Sequence, residues 1–402
     1  MREDLRKRAR IEDSYTLAEE FRHIFSEVSG FSPNLERLAA GSAAQRAAKK
    51  PLQNFEKHRN MKLWKTLCAL SALVAAATGE IFTQAPENGH LRAVCDVQSR
   101  SGALPSPGRD SLLVMFWNCE NFFDYTDSGT GVSDWEFSSR GSRHWTAKRF
   151  YAKCGMFAKA ILYIADTEGC LPDAIGLAEI ENAGVLRRLL SSTLLRKLDY
   201  RYIHYDSPDH RGIDCALLYR SSRLTPLSSK PCHLDSLATR DILLTQFLTA
   251  SGDSVAILVN HHPSKYGGDS SEGFRTLAMR RLRFLSDSLE LAGWRDRLAV
   301  GDFNEQPPNP VFDILPPSLL PLTPPPGSFP GSIRFNGHWE LIDLAFASSP
   351  LEQRARFRVR PLPFLLEKDP AHSGLRPLRT FTGPRWKGGF SDHLPILATL
   401  YF

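Results

Sequence analysis

Several short segments carry side chains suited to attack on phosphorus. Near the C-terminus the chain reads Gly389-Phe390-Ser391-Asp392-His393-Leu394-Pro395, and well before it Gly301-Asp302-Phe303-Asn304. Hydrolysis of a phosphate ester needs an activated water, relief of charge on the non-bridging oxygens and help for the leaving oxygen. A hard divalent cation held by carboxylates supplies much of this, and oxygen donors make Mg²⁺ or Mn²⁺ the natural candidates. Glu179 ends the apolar run Ala174-Ile175-Gly176-Leu177-Ala178. A carboxylate there is costly to bury unless it is paired or bound to a cation, which makes Glu179 the best metal ligand; the alternative is an exposed strand-end Glu. Asp302 and Asn304 flank Phe303, so both can point into one site, although an Asx-turn would explain the same pair without catalysis. Asp392 and His393 are neighbours, and neighbours on a strand face opposite sides, so Asp392 is not placed to orient His393.

These residues need rigid elements to hold them. Asn118 follows the apolar run Leu112-Leu113-Val114-Met115-Phe116-Trp117, which reads as a strand. Apolar residues Phe150, Cys154, Phe157, Ala158, Ile161 and Leu162 recur at helical spacing and predict an amphipathic helix over 146–165, with Thr146 as N-cap. Pro172-Asp173 then turns into the strand ending at Glu179. Further strands are predicted at 213–220, 241–249, 254–260, 297–301, 341–347 and 395–401, with helices near 183–197 and 271–292. Strands of this number, interrupted by long loops, suit two packed sheets covered by helices. Residues 307–330, with Pro324-Pro325-Pro326 inside, predict a stiff surface loop.

From about residue 111 to 402 the chain resembles the endonuclease/exonuclease/phosphatase superfamily, with its deoxyribonuclease I-like fold. The likeness is carried in family order by Asn118-Cys119-Glu120-Asn121-Phe122-Phe123-Asp124, Gly176-Leu177-Ala178-Glu179-Ile180-Glu181-Asn182, Arg211-Gly212-Ile213-Asp214, Asn260-His261-His262-Pro263-Ser264, Gly301-Asp302-Phe303-Asn304, Trp339-Glu340-Leu341-Ile342-Asp343 and Ser391-Asp392-His393. The first of these is similar to the opening of a bacterial secreted branch. The resemblance implies an α/β four-layer sandwich of two mixed sheets flanked by helices, and selects Glu179 over its neighbour Glu181 as the metal ligand. It also implies that Asn118 and Asp392 lie at the metal, and that Asp302 orients or deprotonates the attacking water while Asn304 contacts the phosphate. By the same likeness His261 contacts phosphate or leaving group, and Asp343 orients His393, which acts as base or as electrophilic contact. Such a carboxylate would fix the imidazole tautomer and raise the basicity of the other nitrogen. Two departures stand out: His262 where the family has an aromatic, usually Trp, and Lys265 where Arg is common. Arg211 is a candidate phosphate clamp, with a solvated turn residue beside Gly212 as its alternative.

The formal charge of +6 comes from 50 Lys+Arg against 44 Asp+Glu, and residues 1–77 hold 14 against 9 of these, leaving 36 against 35 for the remainder. A nearly neutral catalytic region gives no support to strong nonspecific DNA binding. A lipid substrate would call for an exposed aromatic hairpin, and none is evident from sequence. Met61-Lys62-Leu63-Trp64-Lys65 followed by an apolar stretch to Ala75-Ala76-Ala77 has the form of a signal peptide starting at Met61, with a buried apolar helix as the alternative. On that reading residues 1–60 are an over-extended start or an unrelated leader, 61–77 are removed, 78–110 form a linker or a poorly ordered start, and the protein is secreted or periplasmic, monomeric and without a stable membrane anchor. Cys95, Cys119, Cys154, Cys170, Cys215 and Cys232 are an even set that secretion would allow to pair, with Cys119 and Cys215 reading as buried thiols. The functional expectation is a metal-dependent phosphodiesterase of nuclease type. A phosphomonoesterase, a lipid or inositol phosphate hydrolase, or a catalytically silent binding module on the same scaffold are the alternatives.

Overall fold

The structure is a computed structural model that describes residues 111–127, 132–234, 237–265 and 269–402. The readings made for residues 1–110, including the signal peptide, the linker and Cys95, lie outside the described residues.

The chain opens with β1 (Ser111–Phe122), α1 (Ala147–Glu168), β2 (Ala174–Ile180), α2 (Ala183–Ser192), β3 (Tyr200–His204) and β4 (Asp214–Arg220). It continues with β5 (Leu224–Cys232), β6 (Ile242–Thr249), β7 (Ser254–His261), α3 (Asp269–Leu291), β8 (Asp296–Asp302) and β9 (Leu319–Pro321). After the hairpin of β10 (Ile333–Phe335) and β11 (His338–Glu340) come β12 (Asp343–Ser348) and β13 (Ala355–Val359). Two small hairpins follow, β14 (Leu366–Lys368) with β15 (Leu375–Pro377) and β16 (Phe381–Thr382) with β17 (Arg385–Trp386), before β18 (Ile396–Tyr401) closes the chain. One six-stranded sheet runs β13-β18-β1-β2-β4-β3 and the other β5-β6-β7-β8-β12-β9. Both are mixed: β1 and β2 are parallel, as are β7 and β8, and their other pairings are antiparallel.

Side-chain alternation explains the four layers. Along β1, Leu112, Val114 and Phe116 pack between the sheets, while Leu113, Met115, Trp117 and Cys119 pack with α1 residues such as Phe157 and Ile161. Along β7, Val255, Ile257 and Val259 join the core between the sheets, and Ala256 and Leu258 sit with Met279 and Leu282 of α3. Strands covered on both faces read as continuous apolar runs, which is why they were visible in the sequence.

Several boundaries differ from the sequence reading. Thr146 does take the N-cap position of α1, in extended backbone, but its side chain makes no capping hydrogen bond. The helix expected to Lys197 stops at Ser192; Thr193 is extended and its hydroxyl accepts from Leu195 N to start a separate turn at Leu194–Lys197. The proline-rich segment is not simply a loop, because β9 within it pairs with β12 and Val311, Leu315 and Leu319 are buried. An edge position needs no complete ladder, so proline is tolerated there, as it is at Pro226 and Pro231 of the edge strand β5. Cys119, Cys154, Cys170, Cys215 and Cys232 are all buried free thiols, so the pairing that secretion would allow does not occur among these five. Among the described residues no helix is long and apolar enough to cross a membrane.

Candidate active site

The site forms where the strand ends of both sheets meet. In the second sheet Asp302, at the end of β8, lies in register with His261 at the end of parallel β7 and with Asp343 at the start of antiparallel β12. The two sheet strands come together closely here: a side chain on Gly301 would sit 2.2 Å from the Asn260 carbonyl oxygen. From the first sheet, Asn118 lies opposite Ala178, and the register between β1 and β2 then breaks before Phe122 and Ile180. Glu179 falls inside that break with φ 63. A bulge of this kind re-aims one side chain out of the alternation, and it turns Glu179 toward the site while Glu181 goes elsewhere. The Glu181 carboxylate accepts from Asp124 N at 2.6 Å and is pushed up to about 8 by burial and by the charges of Asp124 and Asp134.

Most of the residues expected at the site gather around Asp302. His393 Nδ1 lies 2.7 Å from Asp343 Oδ2, while its Nε2 is 3.9 Å from Asp302 Oδ2. His261 Nε2 approaches the same Asp302 oxygen at 3.7 Å and Glu179 Oε1 at 3.8 Å. Asn118 donates its amide to Asp302 Oδ2 at 3.0 Å, and its Oδ1 accepts from Glu120 N at 3.0 Å. Asp302 Oδ1 accepts from Asn304 N at 2.9 Å, and the Asn304 amide donates to the His262 carbonyl at 3.0 Å. Glu179 Oε2 accepts from Asn121 N at 2.7 Å. Asp392 lies at the edge, with Oδ1 4.0 Å from His393 Nε2 and Oδ2 bound to Arg379 at 2.8 Å. Arg211 is half-buried on the rim, its Nη2 3.6 Å from Glu179 Oε1. The His393 loop is locked from behind, since Trp117 Nε1 donates to the His393 carbonyl and the Ser391 hydroxyl donates to the Asn118 carbonyl.

The electrostatics separate the two histidines. Burial disfavours an imidazolium at His393, but the Asp343 charge and hydrogen bond outweigh it, with Asp302 and Asp392 adding, and the pKa stands well above the usual value. His261 goes well below it, through burial and the positive field of Arg240, Arg211 and His393. Asp302 is pushed up to about 7 by burial and by the charge of Asp343, against the opposing pull of His393 and its two hydrogen-bond donors.

Oxygen donors dominate, which suits a hard divalent cation. Two observations test the fit: Glu179 Oε1 lies 3.6 Å from Arg211 and 3.8 Å from His261, beyond hydrogen-bond reach, and Asp392 Oδ1 lies 4.0 Å from His393 Nε2. An open anionic oxygen beside converging carboxylates is an arrangement that a cation would stabilise.

Arg240, Asp209, Arg379 and Lys153 of the surroundings escaped the sequence reading. Arg240 is buried, bound to Asp209 Oδ2 at 3.0 Å and to the His262 carbonyl at 2.7 Å, and Asp209 also accepts from Arg211 N at 2.9 Å. Arg379 joins Asp392 to Glu120, and the buried Lys153 of α1 donates to the Glu120 carbonyl and to Thr380 Oγ1. Glu120, which both of these basic residues hold, falls within the Asn118–Asp124 motif. Lys265, at the position where Arg is common, pairs with Glu305 at 3.1 Å and Glu340 at 3.5 Å and so belongs to the rim. The sequence also hid an aromatic hairpin. Phe335 at the end of β10 is 57% exposed, and Ile333 of the same strand bridges to His393.

His262 fills its place as a neutral aromatic ring. It is buried, tilted against Phe303 with ring centroids 4.7 Å apart, and neither ring nitrogen has a partner. Burial, helped by Arg240 and Arg275, pushes its pKa down to about 3. Between that value and the ordinary histidine value of about 6.5 the unfolded chain binds a proton that the folded one does not, so stability is present above pH 6.5 and is lost as pH falls. The loss should reach on the order of a few kcal/mol by pH 4. His262→Phe is expected to remove this acid-limb slope in urea unfolding, and to raise stability at pH 8 by about 1–3 kcal/mol through loss of two unpaired nitrogens. Superimposable pH profiles for the two proteins would show that the ring is not held neutral.

A model of the Endonuclease/Exonuclease/phosphatase family matches residues 113–315, a span of half the chain. No curated protein matches the chain. Among solved structures it is similar to a humanised D. rerio TDP2 carrying 14 mutations, at 15% identity and TM-score 0.47 over 73% of this chain and 100% of that one. It is also similar to the human Nocturnin catalytic domain with bound sulfate, at 20% identity and TM-score 0.46 over 73% and 95%. A third is a mannosyl-6-phosphatase of Bacteroides thetaiotaomicron, at 16% identity and TM-score 0.45 over 72% and 100%.

Proposed function

This chain belongs to the endonuclease/exonuclease/phosphatase family, and we propose that within it the chain is a phosphodiesterase of nuclease type, dependent on Mg²⁺ or Mn²⁺. One observation carries the reading: His393, ion-paired with Asp343 at 2.7 Å, and the neutral His261 converge from two sides on the same Asp302 oxygen. A base flanked by a charged imidazole and an uncharged one supplies the parts that hydrolysis of a phosphoric ester requires.

Asp302 takes the proton of the attacking water. Its oxygens are fixed by the Asn118 amide and the Asn304 backbone, and its pKa of about 7 suits a base working near neutrality. His393 enters as imidazolium, with Nδ1–H donating to Asp343, and offers its Nε2–H to a non-bridging or leaving oxygen. His261 supplies a neutral contact on the other side, and Arg211 a charged one from the rim. Glu179, Asp392 and Asn118 are the residues that would hold the cation, with Asp302 beside them. When bound it would neutralise phosphate charge and lower the pKa of water. All of these residues are present together, which weighs against a silent binding module on the same scaffold.

Phe335 supports a second reading, in which the ester carries an apolar or aromatic portion, as a lipid phosphate would. The deciding experiment is a hydrolysis panel on the purified protein with DNA, RNA, bis-phosphate esters, phosphomonoesters and sphingomyelin, each with Mg²⁺, Mn²⁺ or chelator. Turnover of a nucleic-acid or simple diester only in the presence of metal is the expected result. Preference for a monoester or for sphingomyelin would select the alternative substrate class, and full turnover in chelator would overturn the metal dependence.

A further inference from the structure

The acidic half of the site already contains a cation of its own. Arg379, just before the β16–β17 hairpin, is 46% exposed in its side chain, and its Nη2 holds Asp392 Oδ2 at 2.8 Å while its Nε holds Glu120 Oε1 at 3.0 Å. The negative field of Asp392, Glu120 and Glu179 converges on this guanidinium. The two carboxylates it bridges are held differently. Glu120 is buried, its Oε2 accepts from Thr380 N at 2.9 Å, and Lys153 fastens the Glu120 carbonyl to Thr380 Oγ1 at 2.7 and 2.8 Å. Asp392 is 23% exposed, and its other oxygen lies 4.0 Å from His393 Nε2. Arg379 therefore has a firm anchor at Glu120 and a looser grip on Asp392.

We propose that Arg379 is a resident counter-ion of the metal site: it occupies Asp392 while the site lacks metal, releases it to the incoming divalent cation while staying anchored on Glu120, and is then turned toward the substrate phosphate. The inference rests on the metal-dependent reading above. Its physical basis is that the Asp392 carboxylate must divide its charge between the arginine and a divalent ion when both are bound, and two cations on one carboxylate repel each other. A half-exposed arginine can leave one partner at small solvation cost, whereas the buried anchor cannot. Glu120 and Arg379 are thus positioning residues for Asp392 in the resting protein.

The test is direct Mn²⁺ binding by calorimetry on the full chain, with wild type, R379Q and R379K compared. Loss of the competing charge should tighten Mn²⁺ binding by R379Q on the order of tenfold. Metal-free R379Q, with its carboxylates uncompensated, should melt below wild type and show the larger upward shift in Tm on adding Mn²⁺. R379K keeps the charge without the fork and should lie between the two in affinity; it also serves as the reading if R379Q fails to fold. Saturating metal should leave R379Q with a reduced kcat, because the arm offered to phosphate is gone. Equal or weaker Mn²⁺ binding by both variants would overturn the proposal while leaving metal dependence intact. Absence of Mn²⁺ binding by wild type itself would overturn the metal-dependent reading, and this inference with it.

Discussion

Glu179→Gln is expected to fold normally and to lose activity by a factor on the order of a thousand or more at moderate Mn²⁺, with partial recovery as the metal concentration rises. The two oxygens of this carboxylate have separate duties. Oε2 accepts from Asn121 N at 2.7 Å, a bond that a glutamine oxygen can reproduce, so the local backbone should persist. Among the described residues Oε1 has long polar contacts, 3.6 Å to Arg211 and 3.8 Å to His261, and is the oxygen open to a cation. Substitution by alanine would confuse the two duties by orphaning the Asn121 amide; glutamine removes only the charge. Calorimetry should show Mn²⁺ affinity falling together with activity. Retention of wild-type turnover by Glu179→Gln, or unchanged metal affinity, would remove Glu179 from the metal site and leave Asp302 and Asp392 to carry it.

Backbone conformation also marks this residue. Outside glycine, a positive φ is uncommon and costs free energy that the surroundings must offset. Among the described residues six non-glycine positions adopt it, and four of them, Glu120, Asn121, Glu179 and Asn304, lie in the segments around Asp302. Asparagine tolerates this conformation, but at Glu120 and Glu179 it runs against local preference and residue type gives no sign of it. The sequence marks Glu179 by motif and by its place after an apolar run, but not the register break that aims it.

The same division runs through the whole fold. β1, β7 and β8 are legible because both faces are buried and their residues form unbroken apolar runs. The edge strands are not: β5 reads Leu-Thr-Pro-Leu-Ser-Ser-Lys-Pro-Cys and β13 Ala-Arg-Phe-Arg-Val, compositions that solvent on one side permits and that resemble loops. At the site, residues grouped in short motifs were legible. Arg379 and Lys153 were not, because their partners in the Glu120 segment lie 259 and 33 positions away and a lone basic residue in a sequence gives no sign of what it faces. Phe335 was missed for a related reason. Asn336 and Gly337, both at positive φ, close the turn that makes it a hairpin, and its three-residue strands are too short to show alternation.

For the Asp343–His393 pair, each single substitution to alanine should lower kcat by about a hundredfold or more, the usual cost of losing a positioned acid–base group, and the double substitution should be little worse than His393→Ala alone. His393 Nδ1 is 2.7 Å from Asp343 Oδ2, both side chains are buried, and Nε2 lies 3.9 Å from Asp302 and 4.0 Å from Asp392. Asp343 thus acts on chemistry through the imidazole, by fixing its tautomer and by favouring its charged form, and residues that act as a unit give non-additive losses. The charge effect has a sign that can be checked separately. Because the Asp343 carboxylate raises the His393 pKa well above the ordinary value against the effect of burial, Asp343→Asn should lower it. If the imidazolium is the working form, the alkaline fall in activity should then move to lower pH in this variant, with the acid limb governed by Asp302 remaining near its place or shifting slightly down as a neighbouring negative charge is lost. Additive losses in the double variant, or an alkaline limb that stays where it is in Asp343→Asn, would uncouple the pair and assign the proton transfers to Asp302 alone.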